Sequence, residues 1–435
     1  MYHTGRHFQH YRLVMCLPTH WKGVKSVMCD SQMKLTFKFR VKPTKTEERW
    51  LFAELRHQKQ LQNYMLQMRN QMWDYGRKSV SMYDQINHLK DLRGSNSHYS
   101  DHPQDMQVST IKRVNAAHEH FQRRCGEGAE KKGYPRYKSS VRSLSWSLRK
   151  YTLKTGERAR QNPIRETGTR YNRLKVPKLG EVKIRQHRPL IGDPKEVTLK
   201  KTARGWYCFI VCEVPDTLKC VPKSACGVDV GTHDFLTTSD GEKTPNPRFY
   251  RAAERKLVKL HRALSRKTYQ SKRWYKAKDA LAKQHDIVAC QRLDFLAKTV
   301  YDLFHHKGFD AVVAEKLKPS NMIKNRYLAK SISDAAWGMF FEWCSWLAKR
   351  DGKHFHQVPP HNTSQTCSEC CQKSPIKLKL SERVFHCKSC GLKLDRDHNA
   401  ALNILNRAAC ALRGEVWDTI LYETRNPLLQ RACWG

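Results

Sequence analysis

Ala225-Cys226-Gly227-Val228-Asp229-Val230-Gly231 is apolar on both faces except for one carboxylate. Apolar residues on both faces are the mark of a buried strand. Burying a lone carboxylate there is costly unless a cation or a partner neutralises it. Gly227 and Gly231 leave room for a close approach, expected here to be that of a ligand. Phe235-Leu236-Thr237-Thr238-Ser239 and Asp240-Gly241 follow, reading as a second strand and a turn, so the pair makes a hairpin.

Two more carboxylates sit in comparable settings. Glu315 ends the apolar run Phe309-Asp310-Ala311-Val312-Val313-Ala314. Asp397 lies in Asp395-Arg396-Asp397-His398-Asn399-Ala400-Ala401-Leu402, where the Ala/Leu run is a helix and Asp397 projects from its first turn. Phosphodiester hydrolysis by two divalent ions needs several hard oxygen ligands from different elements meeting at one point. Two strand-borne carboxylates and one on a helix meet that need, although each alone also fits a cap or an ion pair.

Between Glu315 and Asp397 lie Cys367-Ser368-Glu369-Cys370 and Cys387-Lys388-Ser389-Cys390, two C-x-x-C knuckles separated by 16 residues. This spacing fits a tetrahedral zinc site of four thiolates, closed and therefore structural. Cys371, His361 and His386 are near enough in sequence to stand as substitute ligands.

The 435 residues exceed one compact core and point to two to four domains. Lysine and arginine number 81 against 40 acidic residues, a net charge of +41. Such a charge repels itself when compact unless a polyanion neutralises it. The cations are spread along the chain among aromatics, which points to nucleic acid rather than a membrane surface. No segment reaches the roughly 18 apolar residues of a membrane span, and the short run Leu13–Leu17 does not make a secretion signal. Sixteen cysteines, four of them in the knuckles, suit a reducing cytoplasm with one metal site and ordinary buried thiols.

The front of the chain reads as follows. Residues 1–32 show no periodicity and form an extension; Met33 is a plausible alternative start. Leu35–Val41 alternates as a half-buried strand, and Thr44-Lys45-Thr46-Glu47 is a capping box. The helix after it carries Leu51, Leu55, Leu61, Met65, Met68 and Met72 as a core stripe. Arg93–Ser97 reads as a loop and Ser109–Arg124 as a helix ending at Gly126 and Gly128, so 43–134 is a helical insertion. Val182–Ile184, Glu196–Leu199 and Trp206–Glu213 are strands. Tyr134, Arg136, Tyr137 and Lys138 mix aromatics with cations, as base stacking and backbone contact require, or as an exposed turn would. Two basic helices, about 249–267 and 273–306, present cations including Arg266 and Lys267.

These features resemble the TnpB family, the RuvC-type nucleases of bacterial insertion sequences. The resemblance rests on Gly227–Gly231, Ala314-Glu315, the two knuckles and Asp395–Ala401. It also rests on Lys330–Trp337, Val358–His361, Thr363–Cys367 and Ser381–Cys387. It spans roughly 33–408, is dense from 227 onward and looser before.

The resemblance implies a multidomain α/β protein. An RNase H-like RuvC domain (223–365, with the helical pair 249–306) would hold the active site. A zinc ribbon (366–391) would be inserted before the final RuvC motif (392–408). A wedge β-barrel (33–42 and 135–222) would carry a helical recognition lobe (43–134). Asp229, Glu315 and Asp397 would bind Mg2+ in a two-ion site, and Cys367, Cys370, Cys387 and Cys390 would bind Zn2+. Asp397 is chosen over Asp395, which is left as a cap. The implied partners are a guide RNA and double-stranded target DNA, cleaved beside a short adjacent motif. Three departures stand out: Cys371 takes the place of a usual glycine, residues 1–32 have no counterpart, and the tail after 409 is unmatched and expected to be mobile. A compact type V CRISPR nuclease, a cleavage-deficient guided repressor and a DNA-joining transposase remain as other readings.

Overall fold

The computed structural model describes residues 32–152, 158–160, 162–217, 220–375 and 382–411. The extension before residue 32, and the tail from 412, lie outside the described residues.

The first half opens with β1 (Gln32–Val41) and four helices, α1 (Lys45–Gly76), α2 (Met82–Ser95), α3 (Ser97–Ser100) and α4 (Gln104–Gly126). Eight strands follow: β2 (Ser143–Ser147), β3 (Lys150–Thr152), β4 (Arg158–Arg160), β5 (Ile164–Arg165), β6 (Asn172–Val176), β7 (Gly180–Arg185), β8 (Asp193–Thr202) and β9 (Gly205–Pro215). Seven strands form one antiparallel sheet in the order β2-β8-β9-β1-β7-β6-β5, and β3 pairs with β4 apart from it. In this order β2 and β5 are the two edges and are not paired with each other. β1 sits inside the sheet, paired with β9 from Gln32↔Pro215 to Val41↔Trp206 and with β7 at Arg40↔Arg185. Alternate residues such as Phe37, Phe39, Val182, Ile184, Cys208 and Ile210 share one core, the period-2 burial of a one-sided sheet.

The capping box forms: Thr44 and Glu47 exchange side-chain and backbone hydrogen bonds at the start of α1. One turn on, Glu48 accepts from Trp206 Nε1 at 2.9 Å and Lys201 Nζ at 2.8 Å, fixing α1 to the sheet. Those donors hold the Glu48 carboxyl below its usual pKa. Leu51, Leu55, Leu61 and Met65 are buried as their stripe requires, whereas Met72 is 41% exposed. Leu61, Met65, Leu89, Ile111 and Val114 make a second small core among the helices. The loop expected at Arg93–Ser97 is instead helical. α2 runs through Ser95, and Asn96 breaks it only to cap α3 through its side chain. Arg93 explains the difference: its guanidinium bonds the carbonyls of Tyr99 and His102, so the polar stretch is folded onto α2.

The second half comprises β10 (Ala225–Val230), β11 (Asp234–Thr238), β12 (Lys243–Pro245), α5 (Phe249–Ser265), α6 (Lys272–Tyr301), a π-helical turn (Asp302–His306) and β13 (Ala311–Glu315). Then come α7 (Pro319–Met322), α8 (Ala329–Ala335), α9 (Trp337–Asp351), β14 (His354–Val358), β15 (Val384–His386), β16 (Lys393–Asp395) and α10 (Arg396–Ala411). The five-stranded sheet has the order β12-β11-β10-β13-β14. β10, β13 and β14 are parallel, while β11 and β12 run antiparallel. One face packs on α6 and α9 through Phe235, Leu296, Phe340 and Cys344; the other meets α10 through Val313 and Ile404. α5 and α6 end slightly earlier than the basic runs suggest. Ser265 closes α5, and the second run changes to π geometry after Tyr301 before Gly308 (φ 74°) turns the chain.

Candidate active site and metal centre

Asp229 lies near the end of β10, and Glu315 ends β13. The parallel register pairs Val228 with Ala314, so the next residue on each strand is a carboxylate and the two stand side by side. Asp397 comes from the first turn of α10, which crosses β10. That crossing explains Gly227. A Cβ there would lie 2.2 Å from Ala401 O and 2.8 Å from Leu405 N. The expected close approach at Gly227 is therefore made by the protein's own helix, not by a ligand. Gly231 is likewise pressed by its own chain, 2.7 Å from Asp234 O to a built Cβ.

Burial drives the Asp229 carboxyl well above its usual pKa, and the charges of Glu315 and Asp397 push it further. Burial also raises Glu315, while Thr363 Oγ1 donates to its Oε1 and opposes the shift. Asp397 Oδ2 accepts from Arg383 at 3.2 Å. Asp395 Oδ1 accepts from the backbone N–H of Asp397 at 3.0 Å and of His398 at 3.2 Å, and Lys243 binds its other oxygen at 2.6 Å. Asp395 is thus the cap of α10.

The four cysteine sulfurs of the knuckles lie within 4.8 Å of one another. Cys367 and Cys390 are 3.6 Å apart, and Cys370 and Cys387 3.5 Å, well beyond a disulfide bond. Cys371, His361 and His386 are outside this group. The knuckles share one turn: Cys371 N–H bonds Cys367 O, and Gly391 N–H bonds Cys387 O. Both residues are left-handed, Cys371 at φ 59° and Gly391 at φ 78°. Cys371 therefore adopts a backbone that glycine takes without strain. The donor set suits zinc: four mutually close sulfurs, each knuckle supplying backbone N–H groups. Burial raises the Cys387 thiol, but the N–H groups of Cys390 and Ser389 together with the neighbouring Cys370 and Cys390 thiols lower the net value to about 6.

Several residues that sequence reading passed over join the two centres. Asn399 Nδ2 donates to Thr366 O at 2.9 Å, and its Oδ1 accepts from Ser368 N at 3.0 Å. Asn403 donates to Thr363 O and Thr366 O at 2.8 and 2.7 Å. Asn399, Asn403 and Asn406 repeat at helical spacing along α10, the one signal that marked this face. Of the proposed nucleic-acid residues, Tyr134 and Tyr137 are 41% and 54% exposed, both hydrogen-bonded to Asn70 of α1. Arg136 and Lys138 are exposed beside them, and Arg266 and Lys267 are exposed just past α5. The three carboxylates do not form as closed a group as the four thiols.

Fold and site define an α/β protein built on two large sheets, with carboxylates at parallel strand ends and a four-thiol group tied to them. Residues 209–326 match a family model described as "Probable transposase", and residues 337–404 match "Cas12f1-like, TNB domain". Among relatives, a Streptomyces pristinaespiralis protein named "Putative RNA-guided DNA endonuclease" is 32% identical over 290 residues, covering 64% of this chain. "Putative RNA-guided DNA endonuclease InsQ" of Escherichia coli K12 is 30% identical over 54% of this chain. A mimivirus protein named "TnpB-like protein L770" is 27% identical over 51%. The chain spans 66%, 61% and 45% of the length of these three relatives. The solved structure of the mini-RNA-guided endonuclease CRISPR-Cas_phi3 shares the fold, with a TM-score of 0.52 at 10% identity over 88% of this chain and 93% of that one. The chain is similar to proteins of the TnpB family over these segments. Among the described residues, no helix is long and apolar enough to cross a membrane.

Proposed function

We propose that the chain is an RNA-guided DNA endonuclease encoded by an insertion sequence, with Asp229, Glu315 and Asp397 as its metal-binding triad. The observation that carries this reading is the position of Asp229 beside Glu315 at the ends of parallel strands, where burial and then the charges of Glu315 and Asp397 oppose its ionisation. A site that crowds three carboxylates, one of them fully buried, favours a bound cation. The five-stranded order, three strands antiparallel and two added in parallel, supports the reading of an RNase H-like nuclease domain.

When bound, divalent ions supply an activated water and stabilise the leaving oxygen. The protein's share is to hold the oxygens. Thr363 orients Glu315, Asp395 sets the first turn that presents Asp397, and α10 pressed on Gly227 fixes helix against strand. The seven-stranded sheet would act as the wedge, with α1–α4 as the recognition lobe. Tyr134, Arg136, Tyr137, Lys138, Arg266 and Lys267 would meet guide or target phosphates and bases. Zinc at Cys367, Cys370, Cys387 and Cys390 would be structural.

The test is to express the protein with its flanking DNA, sequence the RNA that co-purifies, and assay cleavage of a matching duplex in Mg2+. A discrete RNA reaching into the sequence beside the gene, and cleavage abolished in Asp229→Ala with RNA and target binding kept, are expected. Heterogeneous RNA and no guided cleavage would overturn the reading.

A further inference from the structure

We propose that the tip of the α5–α6 hairpin, around Tyr269, Trp274 and Tyr275, is a stacking site for unpaired bases of the RNA that the protein carries. The inference rests on the guided-nuclease reading for the presence of that RNA, and adds where and how part of it is held.

Charge is the first observation. Between Glu254 and Asp279 the chain carries ten lysines and arginines and no acidic residue. Of the acids flanking this run, Glu254 is paired with Lys330 at 2.6 Å and Asp286 with Arg204 at 3.4 Å, so neither neutralises it. A solvated face would explain the charge alone, but not the aromatics beside it. Tyr269 is 71% exposed and Tyr275 50%. Trp274 stands between them, with ring centroids 5.0 Å from Tyr269 and 5.2 Å from Tyr275, both edge-on. Lys278 Nζ lies 4.8 Å from the Trp274 ring centre. The tip is ordered: Ser271 caps α6 by accepting from the Trp274 N–H at 3.1 Å.

Next to these rings a cleft of about 310 Å3 opens between α5 and α6. Leu260, Ala263 and Ala277 give it an apolar lining, and Lys267, Arg273 and Lys276 bring exposed cations to it. Exposed rings and an apolar cleft with cations in reach match a base and its flanking phosphates. The occupant is single-stranded, because paired bases have their faces covered by their neighbours. The helix also sets the tip apart from the carboxylates. Trp274 precedes Leu296 by 22 residues, about 33 Å of helix, and Leu296 packs on the five-stranded sheet. The DNA strand to be cut must lie at that sheet. The tip therefore serves the strand that is not cut, the RNA.

The complex purified from cells is irradiated with ultraviolet light and digested, and its peptides are read by mass spectrometry. Ribonucleotide adducts on Tyr269, Trp274 or Tyr275 are expected, with and without target DNA. Protein stripped of RNA is then titrated with oligouridylate across a salt series. Tyr269→Ala combined with Tyr275→Ala, both at exposed positions, should weaken binding by about 5–150-fold, the worth of one stacked base. The slope of log affinity against log salt should not change. Arg273→Gln combined with Lys276→Gln should instead flatten that slope by roughly 0.7 per charge removed. Adducts on other segments with none on the three rings would overturn the tip site and leave guided function intact. Deoxyribonucleotide adducts on them would overturn the assignment to RNA. Protein that purifies without RNA would remove the guided reading; the tip then stands or falls on the oligouridylate titration, where unchanged affinity in the double tyrosine variant overturns it.

Discussion

Gly227 and Ala401 touch backbone to backbone: a Cβ on the glycine would lie 2.2 Å from the Ala401 carbonyl oxygen. A strand and a helix are thereby brought closer than any side chain allows, and each carries a carboxylate of the proposed triad. Gly227→Ala must push them apart. It should cost about 3 kcal/mol and lower the melting temperature by several degrees. Cleavage should fall more than RNA binding does. A melting temperature within one degree of the unaltered protein would show that α10 yields freely.

Cys371 should be replaceable with profit. Its left-handed backbone costs a non-glycine residue about 1 kcal/mol, and its thiol is outside the zinc-type group. Cys371→Gly should raise stability by about that amount with the ribbon's zinc content unchanged. Loss of that zinc, by elemental analysis, would mean the thiol is a ligand.

Asp229 should trade stability for activity. Its folded-state carboxyl is raised well above the ordinary 3.8, so the folded protein holds the proton more tightly than the unfolded chain. Ionisation therefore costs stability as pH rises above about 3.8, and the cost is complete once pH passes the folded value. Metal-free Asp229→Asn should be more stable than the unaltered protein at pH 8, with a higher melting temperature. The difference should vanish near pH 3.5, and cleavage should be absent throughout. Equal melting curves at pH 8 would argue that the charge is already neutralised from within.

Thr363 should tune the acid side of the pH–rate profile. Its hydroxyl donates to Glu315 and favours the ionised carboxylate. Thr363→Val should raise the Glu315 pKa, move the acid limb to higher pH, and increase the Mg2+ concentration needed for half-maximal rate by roughly tenfold, the size of one charged hydrogen bond. Thr363→Ser should restore both. A uniform loss of rate with an unmoved limb would assign the hydroxyl to packing instead.

Much of this architecture was legible along the chain. Asp229, Glu315 and Asp397 each interrupt a pattern that is otherwise apolar or helical, and the two knuckles announce themselves by spacing. Arg383 and Thr363 carried no such mark, because their roles come from contacts made across the fold rather than from their neighbours. The stretch after Arg93 looked like a loop because its composition is polar. Arg93 itself satisfies the carbonyls that a loop would have left to water.

The place of β1 has a bearing on how the molecule is made. Emerging from the ribosome first among the described strands, it cannot close its ladder with β9 until Trp206 has been added, about 160 residues later. At ordinary rates of synthesis that is a delay of roughly 10–30 s. Throughout it, Phe37, Phe39 and Val41 belong to an unfinished core, and the helices α1–α4 can fold meanwhile on their own small core. The nascent chain must therefore shelter an orphan strand, and codon choice or chaperone supply over residues 41–206 should govern how much active protein a cell obtains.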